Sequence, residues 1–425
     1  MKVLVLGAAV SGRAAAELSR RQGHVTAVYD RRSAAVRPLR DRGFEVHSGS
    51  WNAGLLRGVD LVVASPGFGE SSPPITDTAA SGIPLWAEIE FASRALTAPY
   101  VAVTGTNGKT TVTEALAAML ERSGRRTIAA GNVGTPLASV VDQEWDIVVV
   151  EASSFQLRFV DTFHPFAAGV TNLAPDHLDW HGSFERYATA KAEIHRNMEG
   201  DDLFVFNADD VAAARLAARA RCRLQPVSGT SVPPHGIGVD AGALAVGEHR
   251  LHAGTDDPSY LLDLAVAAAL AIEAGAGIDA IATVVEGFRP GAHRRELVAD
   301  AGGIRWVNDS KATNPHAAAA AAAAYRSVVL LAGGKNKGLD LTPLTQVPAI
   351  RRIVAFGESA GEIAAAAPEV VDVVDDLDAA IGLAEAIARS GDTVLLAPGC
   401  ASFDQFTSYE ERGDTFRRSV QERTR

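Results

Sequence analysis

An α/β protein of three domains is predicted, and three observations predict it. Short apolar runs alternate with alanine-rich helical stretches from one end of the chain to the other, the pattern of parallel sheets covered by helices. Thr97-Ala98-Pro99 and Arg289-Pro290-Gly291 interrupt that pattern, each just before it resumes. At 425 residues the chain also exceeds the size at which a single hydrophobic core stops growing. Boundaries are therefore expected at 97/98 and 288/289, giving domains over 1–97, 98–288 and 289–425.

In the first domain, residues 3–6, 25–29 and 61–64 read as strands. Met1-Lys2 and the apolar run after it resemble a short leader. The run passes directly into Gly7, Ser11, Gly12 and Arg13 without a cleavage-type segment, so a first strand is the better reading. Gly7-Ala8-Ala9-Val10-Ser11-Gly12 then opens a helix, and Asp30 ends the next strand, a Rossmann-like arrangement. An NAD-binding fingerprint would have glycine where Ala9 stands, which weakens a nicotinamide-cofactor reading.

The second domain begins with a strand over 100–104, a turn Gly105-Thr106-Asn107-Gly108-Lys109, and a helix opened by Thr110 and Thr111. Val112, Leu116, Met119 and Leu120 recur at helical spacing, and Gly124 ends the helix. Glycines let backbone N–H groups converge on phosphate oxygens, and the helix dipole favours the same charge. Lys109 would place a point charge on the β- and γ-phosphates and Thr110 would offer its hydroxyl to Mg2+, making this a P-loop ATPase-type domain. Val103 stands where the common form of this loop has its first glycine. A second apolar strand, 146–150, runs into Glu151, an acid at the carboxyl end of a strand, where ligands bind in open α/β sheets. Ala168 to Leu173 leads to Asp176-His177-Leu178-Asp179. Lys191, in a helical stretch, reads by itself as a solvated lysine. The alanine clusters at 212–220 and 317–324 read as helix, the second capped by Asn314 with Pro315 at its first position.

Composition bounds the function. A net charge of −11 argues against nucleic acid or an anionic membrane as partner. Cys222 and Cys400, the only cysteines, form neither a disulfide framework nor a zinc site, which suits a reducing cytoplasm. No apolar stretch approaches the ~20 residues needed to cross a bilayer.

The string Thr104-Gly105-Thr106-Asn107-Gly108-Lys109-Thr110-Thr111 resembles the Mur ligase family, which also contains the folylpolyglutamate synthases. So do Glu151-Ala152-Ser153-Ser154-Phe155-Gln156-Leu157 and Thr171-Asn172-Leu173 with Asp176-His177-Leu178-Asp179. Asn308-Asp309-Ser310-Lys311-Ala312-Thr313-Asn314 and Cys400-Ala401-Ser402-Phe403-Asp404-Gln405-Phe406 narrow the resemblance to the D-glutamate-adding branch. That resemblance implies a Rossmann-like N-terminal domain for a UDP-sugar, a central ATP-binding domain, and a C-terminal Rossmann-like domain for the amino acid. The activity it implies is ATP-dependent joining of D-glutamate to UDP-N-acetylmuramoyl-L-alanine in cell-wall synthesis, with two Mg2+ ions and with a monomer favoured.

Residue by residue, the resemblance places the loop Gly105, Thr106, Asn107, Gly108, Lys109, Thr110 and Thr111 at ATP, with Arg294, Asp309 and Lys311. His293 precedes Arg294 in the matching pair. Thr110 and Glu151 would meet one metal, His177 and Lys191 (as a carbamate) a second. Lys109, Asn132, His177 and Lys191 would serve the reaction. Val10, Ser11, Asp30, Arg31, Arg32, Asn132, Ser153 and Gln156 match UDP-sugar contacts; Thr313, Lys337, Ser402, Phe403 and Tyr409 match the D-glutamate site. One segment departs: Ser259-Tyr260-Leu261-Leu262-Asp263 stands where the family carries a histidine and two asparagines near adenine. Two readings from other classes are a P-loop switch protein and, from the first domain, an NAD-dependent oxidoreductase. Within the family, the runner-up is a ligase adding another amino acid, such as diaminopimelate.

Overall fold

In the computed structural model, which describes residues 1–254, 257–287, 289 and 291–424, the apolar runs become the inner strands of three sheets. Pro290 of the second expected break, and Phe288, where the second expected domain ends, lie outside the described residues.

The first sheet is wholly parallel: β1 (Lys2–Leu6), β2 (Val25–Asp30), β3 (Glu45–Ser48), β4 (Leu61–Ala64) and β5 (Leu85–Ala87), in the order β3-β2-β1-β4-β5. The order reverses at β1, so the crevice beyond the ends of β1 and β4 is the switch point at which such sheets bind ligands. The second sheet contains β6 (Tyr100–Thr104), β7 (Thr127–Gly131), β8 (Ile147–Glu151), β9 (Ala167–Val170), β10 (Glu199–Asn207), β11 (Arg221–Ser228), β12 (Ile237–Asp240), β13 (Ala243–Val246) and β14 (His249–Leu251). Its order is β14-β13-β12-β11-β10-β9-β6-β8-β7. The strands β12, β13 and β14 form an antiparallel edge, where the sequence pattern pointed only to parallel pairing. Short strands separated by Ala241-Gly242 and Gly247 carry too few residues for a period to show. The third sheet holds β15 (Glu296–Ala301), β16 (Ile304–Asn308), β17 (Val328–Gly333), β18 (Ile350–Phe356), β19 (Val371–Val373) and β20 (Thr393–Gly399), in the order β15-β16-β20-β17-β18-β19. Both alanine clusters are helical over most of their length, the first only as far as Ala217 and the second as far as Ala323. Val211–Ala217 is capped by Asp210, and Pro315–Ala323 by Asn314, whose Oδ1 accepts the Ala317 N–H at 2.8 Å.

Contacts divide the chain into two bodies: Met1–Leu173 with Trp180–Phe288, and Ala174–Asp179 with Arg289–Arg425. The first holds two sheets whose apolar residues merge into one cluster, running from Val3 and Leu18 through Ile89 and Phe91 to Val150 and Phe163. Two buried carboxylates of the short helix Glu88–Ser93 sit in that junction, with opposite electrostatics. Glu90 loses hydration. The N–H groups of Asp161, Thr162 and Phe163, the Thr162 hydroxyl and the Arg94 guanidinium more than offset that loss, and its carboxyl stays below its usual range. Glu88 accepts a single N–H, from Ala138, and its Oε2 is buried without a partner; burial pushes its pKa up to about 7. The folded carboxyl therefore keeps its proton to higher pH than the unfolded one. Its stabilisation is complete below about pH 4.5 and is lost as the pH rises towards 7. Glu88→Gln should accordingly gain stability over the parent at pH 8, on the order of 3 kcal/mol, and much less at pH 5. Thermal melting of both proteins across that range checks this; a difference independent of pH would refute it. Among the described residues no helix is long and apolar enough to cross a membrane.

Candidate functional site

The strand β6 ends in a turn that only glycine can make. Gly105 and Gly108 have φ of +150° and +82°; a Cβ would lie 1.9 Å from Thr171 Oγ1 at the first and 2.2 Å from Asp263 Oδ1 at the second. Gly108 caps the helix Lys109–Arg122, whose positive dipole end thus faces the turn. Asn172 fixes the turn from the side: its carbonyl accepts the Thr106 N–H at 2.9 Å, and its Oδ1 accepts the Asn107 N–H at 2.9 Å. Two loop N–H groups expected to cradle phosphate are therefore used to shape the loop. Lys109 bends over its own turn, Nζ donating to the Gly105 and Thr106 carbonyls at 3.0 Å each.

Glu151 is the last residue of β8 and only 2% exposed. Asn132 Nδ2 donates to its Oε1 at 2.9 Å, and Asn132 N–H to its carbonyl at 2.8 Å. Its Oε2 is buried with no partner. A buried carboxylate oxygen left open beside a phosphate loop suits a hard cation that brings phosphate oxygens with it. Among the described residues no group of three or more His, Cys, Asp or Glu side chains could hold a metal unaided.

Lys191 is not the solvated lysine its local sequence suggests: it is 1% exposed. Its Nζ donates to the Gly105 carbonyl at 2.7 Å and lies 4.7 Å from the centroid of Tyr187. The Tyr187 hydroxyl hydrogen-bonds Thr106 Oγ1 at 2.9 Å. Tyr187 and Lys191 are one turn apart on the helix Phe184–Ala192, so a single helix face grips the loop. Tyr187 was missed by sequence reasoning; its spacing from Lys191 was the available signal. Asp263 was also left aside, yet it abuts Gly108.

Ser153 and Gln156 form a capping box, the Gln156 Oε1 accepting from Ser153 N–H and Oγ at 3.0 and 2.9 Å. That leaves Gln156 Nε2 buried without a partner, the atom free for a ligand. His181, unremarked in the sequence, joins this region: its Nε2 is 2.9 Å from Ser154 Oγ and its ring lies between Trp180 and Tyr187. Burial pushes its pKa down to about 4, so it is neutral at physiological pH.

At the first switch point, Asp30 organises the turn. Its Oδ2 accepts the Ala8 N–H at 3.0 Å and its Oδ1 the Arg32 N–H at 2.9 Å. Desolvation raises its pKa, but these donors and the Arg32 charge bring it below the usual carboxylate value. Arg31, Arg32 and Val10 are exposed and Ser11 half-buried around it.

The second body carries its own polar loops at the carboxyl ends of its strands. Asp176 is buried and ion-paired with Lys337 Nζ at 3.0 Å, and Asn314 Nδ2 donates to it at 3.1 Å. Burial opposes its charge, but Lys337 and His177 outweigh that and lower its pKa. The His177 N–H donates to the same carboxylate at 2.8 Å, with φ of +52°. Asp176, read in the sequence only as the acid beside His177, is thus the partner that orients Lys337. Lys311 Nζ meets the Tyr409 hydroxyl at 2.9 Å, and the Thr313 N–H returns to the Lys311 carbonyl at 2.8 Å. Ser402 is buried, whereas Phe403 is 70% exposed. Asp309 is buried and its pKa raised by desolvation, against the opposing charges of Arg295, whose backbone N–H donates to it at 3.3 Å, and of the half-buried Arg294.

Three family models match the chain: "Mur ligase MurD-like, N-terminal domain" over 1–87, "Mur ligase middle domain" over 103–233, and "Mur ligase, glutamate ligase domain" over 293–400. A protein of Frankia casuarinae named UDP-N-acetylmuramoylalanine--D-glutamate ligase is 46% identical, with 100% of this chain and 94% of that protein covered. One of the same name from Mycobacterium avium is 38% identical over 98% and 96%. Among solved structures, the UDP-N-acetylmuramate-alanine ligase MurC of Thermotoga maritima aligns with a TM-score of 0.60 at 18% identity, covering 99% of both chains. A pseudomurein peptide ligase type C of Methanothermus fervidus gives 0.63 at 17% identity, also over 99% of both. The E. coli FolC complex with ADP gives 0.58 at 18%, covering 79% of this chain and 93% of that one.

Proposed function

This chain belongs to the Mur ligase family, and from that premise we propose that it joins D-glutamate to the L-alanyl carboxylate of UDP-N-acetylmuramoyl-L-alanine, converting ATP to ADP and phosphate. The observation that carries the reading is the buried arrangement around Gly105: Lys109 and Lys191 on its carbonyl, with Glu151 presenting an open oxygen at the end of β8. Such a site favours phosphoryl transfer, which depends on positioning and charge more than on covalent help from the protein. Boundaries at 97/98 and 288/289 and a cytoplasmic location are part of the same proposal.

In the chemistry we assign, the L-alanyl carboxylate oxygen attacks the γ-phosphorus and the bond to ADP breaks, giving an acyl phosphate. The D-glutamate amine, having lost a proton, adds to the acyl carbonyl, and the tetrahedral intermediate expels phosphate to leave the amide. Lys109 and the dipole of its helix receive the γ-phosphate charge. Asn132 holds Glu151 in place, and Gln156 Nε2 offers a donor to the acceptor substrate. Thr110 and Glu151 would hold one Mg2+, and a carbamate on Lys191 would offer oxygens to a second; bound there, the ions would neutralise charge on the transferring group. Asp309, Lys311 and Arg294 are assigned to ATP, and Thr313, Lys337, Ser402, Phe403 and Tyr409 to D-glutamate.

Phosphate release with UDP-sugar acceptors tests the reading, comparing D-glutamate, L-glutamate, diaminopimelate and D-alanyl-D-alanine. Release that needs no amino acid would favour the switch-protein reading instead. For the first domain, Arg31→Ala and Asp30→Ala should each weaken UDP-sugar binding about tenfold, roughly 1.4 kcal/mol, with ATP binding nearly unchanged. Arg31 would act by its exposed charge and Asp30 through the Ala8 turn it holds. Separate titrations of the two nucleotides decide it, and equal losses would contradict the division of labour.

A further inference from the structure

The helix Tyr409–Arg423 buries Arg412, Phe416 and Val420 along one face. Phe416 and Val420 join the apolar cluster with Trp306, Leu331 and Val394. Arg412 continues their stripe with a guanidinium that has no exposure at all. A charge on a helix face whose spacing calls for an apolar side chain breaks the local rule, and such breaks mark functional places.

The donors of Arg412 all go to uncharged acceptors. Its Nε donates to Ser310 Oγ at 3.0 Å, its Nη2 to the Ser310 carbonyl at 2.9 Å, and its Nη1 to the Cys400 carbonyl at 3.2 Å. No carboxylate pairs with it among the described residues. Its Nη1 also lies 3.2 Å from where a Cβ on Gly334 would stand. Ser310, Cys400 and Gly334 follow β16, β20 and β17, the adjacent central strands of the third sheet, at the carboxyl ends where ligand loops gather. The same loops carry Lys311 and Thr313, Ser402, and Lys337. Asp404 offsets this burial only in part, from beyond ion-pair distance, and a charge buried in this way opposes folding, so the guanidinium here calls for a role other than stability. Burial lowers its pKa to about 10, which leaves it charged at neutral pH.

We propose that Arg412 is the positioning residue of the carboxylate subsite for the incoming amino acid: it ties the turns after β16 and β20 together and sets a fixed positive charge beneath them. This rests on the function proposed above. Arg412 does not touch the substrate; it acts through the Ser310 and Cys400 turns and presets their loops for a dianionic amino acid.

Steady-state kinetics on the full chain with Arg412→Met, Arg412→Lys and Ser310→Ala test this. Arg412→Met should raise KM for D-glutamate about tenfold or more and leave KM for the UDP-sugar, which the first domain is proposed to bind, within about twofold; Asp309 and Lys311 flank Ser310, so KM for ATP should rise too, but by less than that for D-glutamate. Arg412→Lys, which keeps the charge and loses the fork, should recover part of that loss. Ser310→Ala, which removes one acceptor and no charge, should raise the same KM several-fold. Should Arg412→Met fail to fold, the other two variants decide. An equal rise in all three KM values, or an unchanged D-glutamate KM in Arg412→Lys and Ser310→Ala, would overturn the assignment. A parent protein that releases no phosphate with D-glutamate would instead overturn the proposed function, and is seen before any variant is made.

Discussion

Lys191→Ala is expected to lose activity by about a thousandfold, the scale of removing a group that stabilises transferring charge. Two roles for this lysine predict different partners in failure. As a tether, its ammonium merely holds the Gly105 carbonyl at 2.7 Å, and Lys191→Arg would retain much of that bond. As a carbamate, formed when the neutral amine adds CO2 and releases a proton, it would supply oxygen ligands to a metal. Arginine cannot do that, because it keeps a positive charge where a hard cation needs a negative one. We therefore expect Lys191→Arg to be as inactive as Lys191→Ala, and acetate or bicarbonate to restore part of the activity to the alanine variant alone. Melting curves accompany the assays, since emptying a fully buried site costs stability of about 2–5 kcal/mol by itself. Rates measured across Mg2+ and acetate concentrations give the answer; parental activity in Lys191→Arg returns the residue to the tether role.

Lys109→Ala is expected to abolish ATP-dependent turnover, again by about a thousandfold or more, while the melting temperature barely moves. The lost contacts include two hydrogen bonds to carbonyls of its own turn, in a partly exposed place, where the net contribution of each is small. The glycines, Asn172 and Tyr187 that shape the turn remain. Near-parental turnover would contradict the phosphate-loop assignment.

What could be read without coordinates was what is encoded locally. The β6 strand, the glycine turn and the helix after it are consecutive, so their order alone exposed the strand–turn–helix to which the phosphate-loop role is assigned. Glu151 was visible because a strand's end is visible. Burial is a tertiary quantity, and there local reading failed. Lys191 has the sequence of a surface lysine and becomes a core residue only because its helix packs on the loop. Asp176 acquires its meaning from Lys337, 161 positions away, and Glu88 from Ala138, 50 positions away. The antiparallel edge β12–β14 was too short to show a period.

The five donors that converge on Glu90 have a bearing on acceptor choice. They fasten the loop 161–163 of the second sheet to the end of the first, and the shared apolar cluster closes round them. On the function proposed above, such a joint would work as a ruler, with one mark at the Asp30 turn and the other at Gly105. A nucleotide-sugar gripped at the first mark would then have to bring its carboxylate to the second. A peptide longer by one residue would overshoot by about 3.5 Å. Since a misplacement of about 1 Å already slows a reaction roughly a hundredfold, the length of the acceptor would be measured before any side chain is inspected.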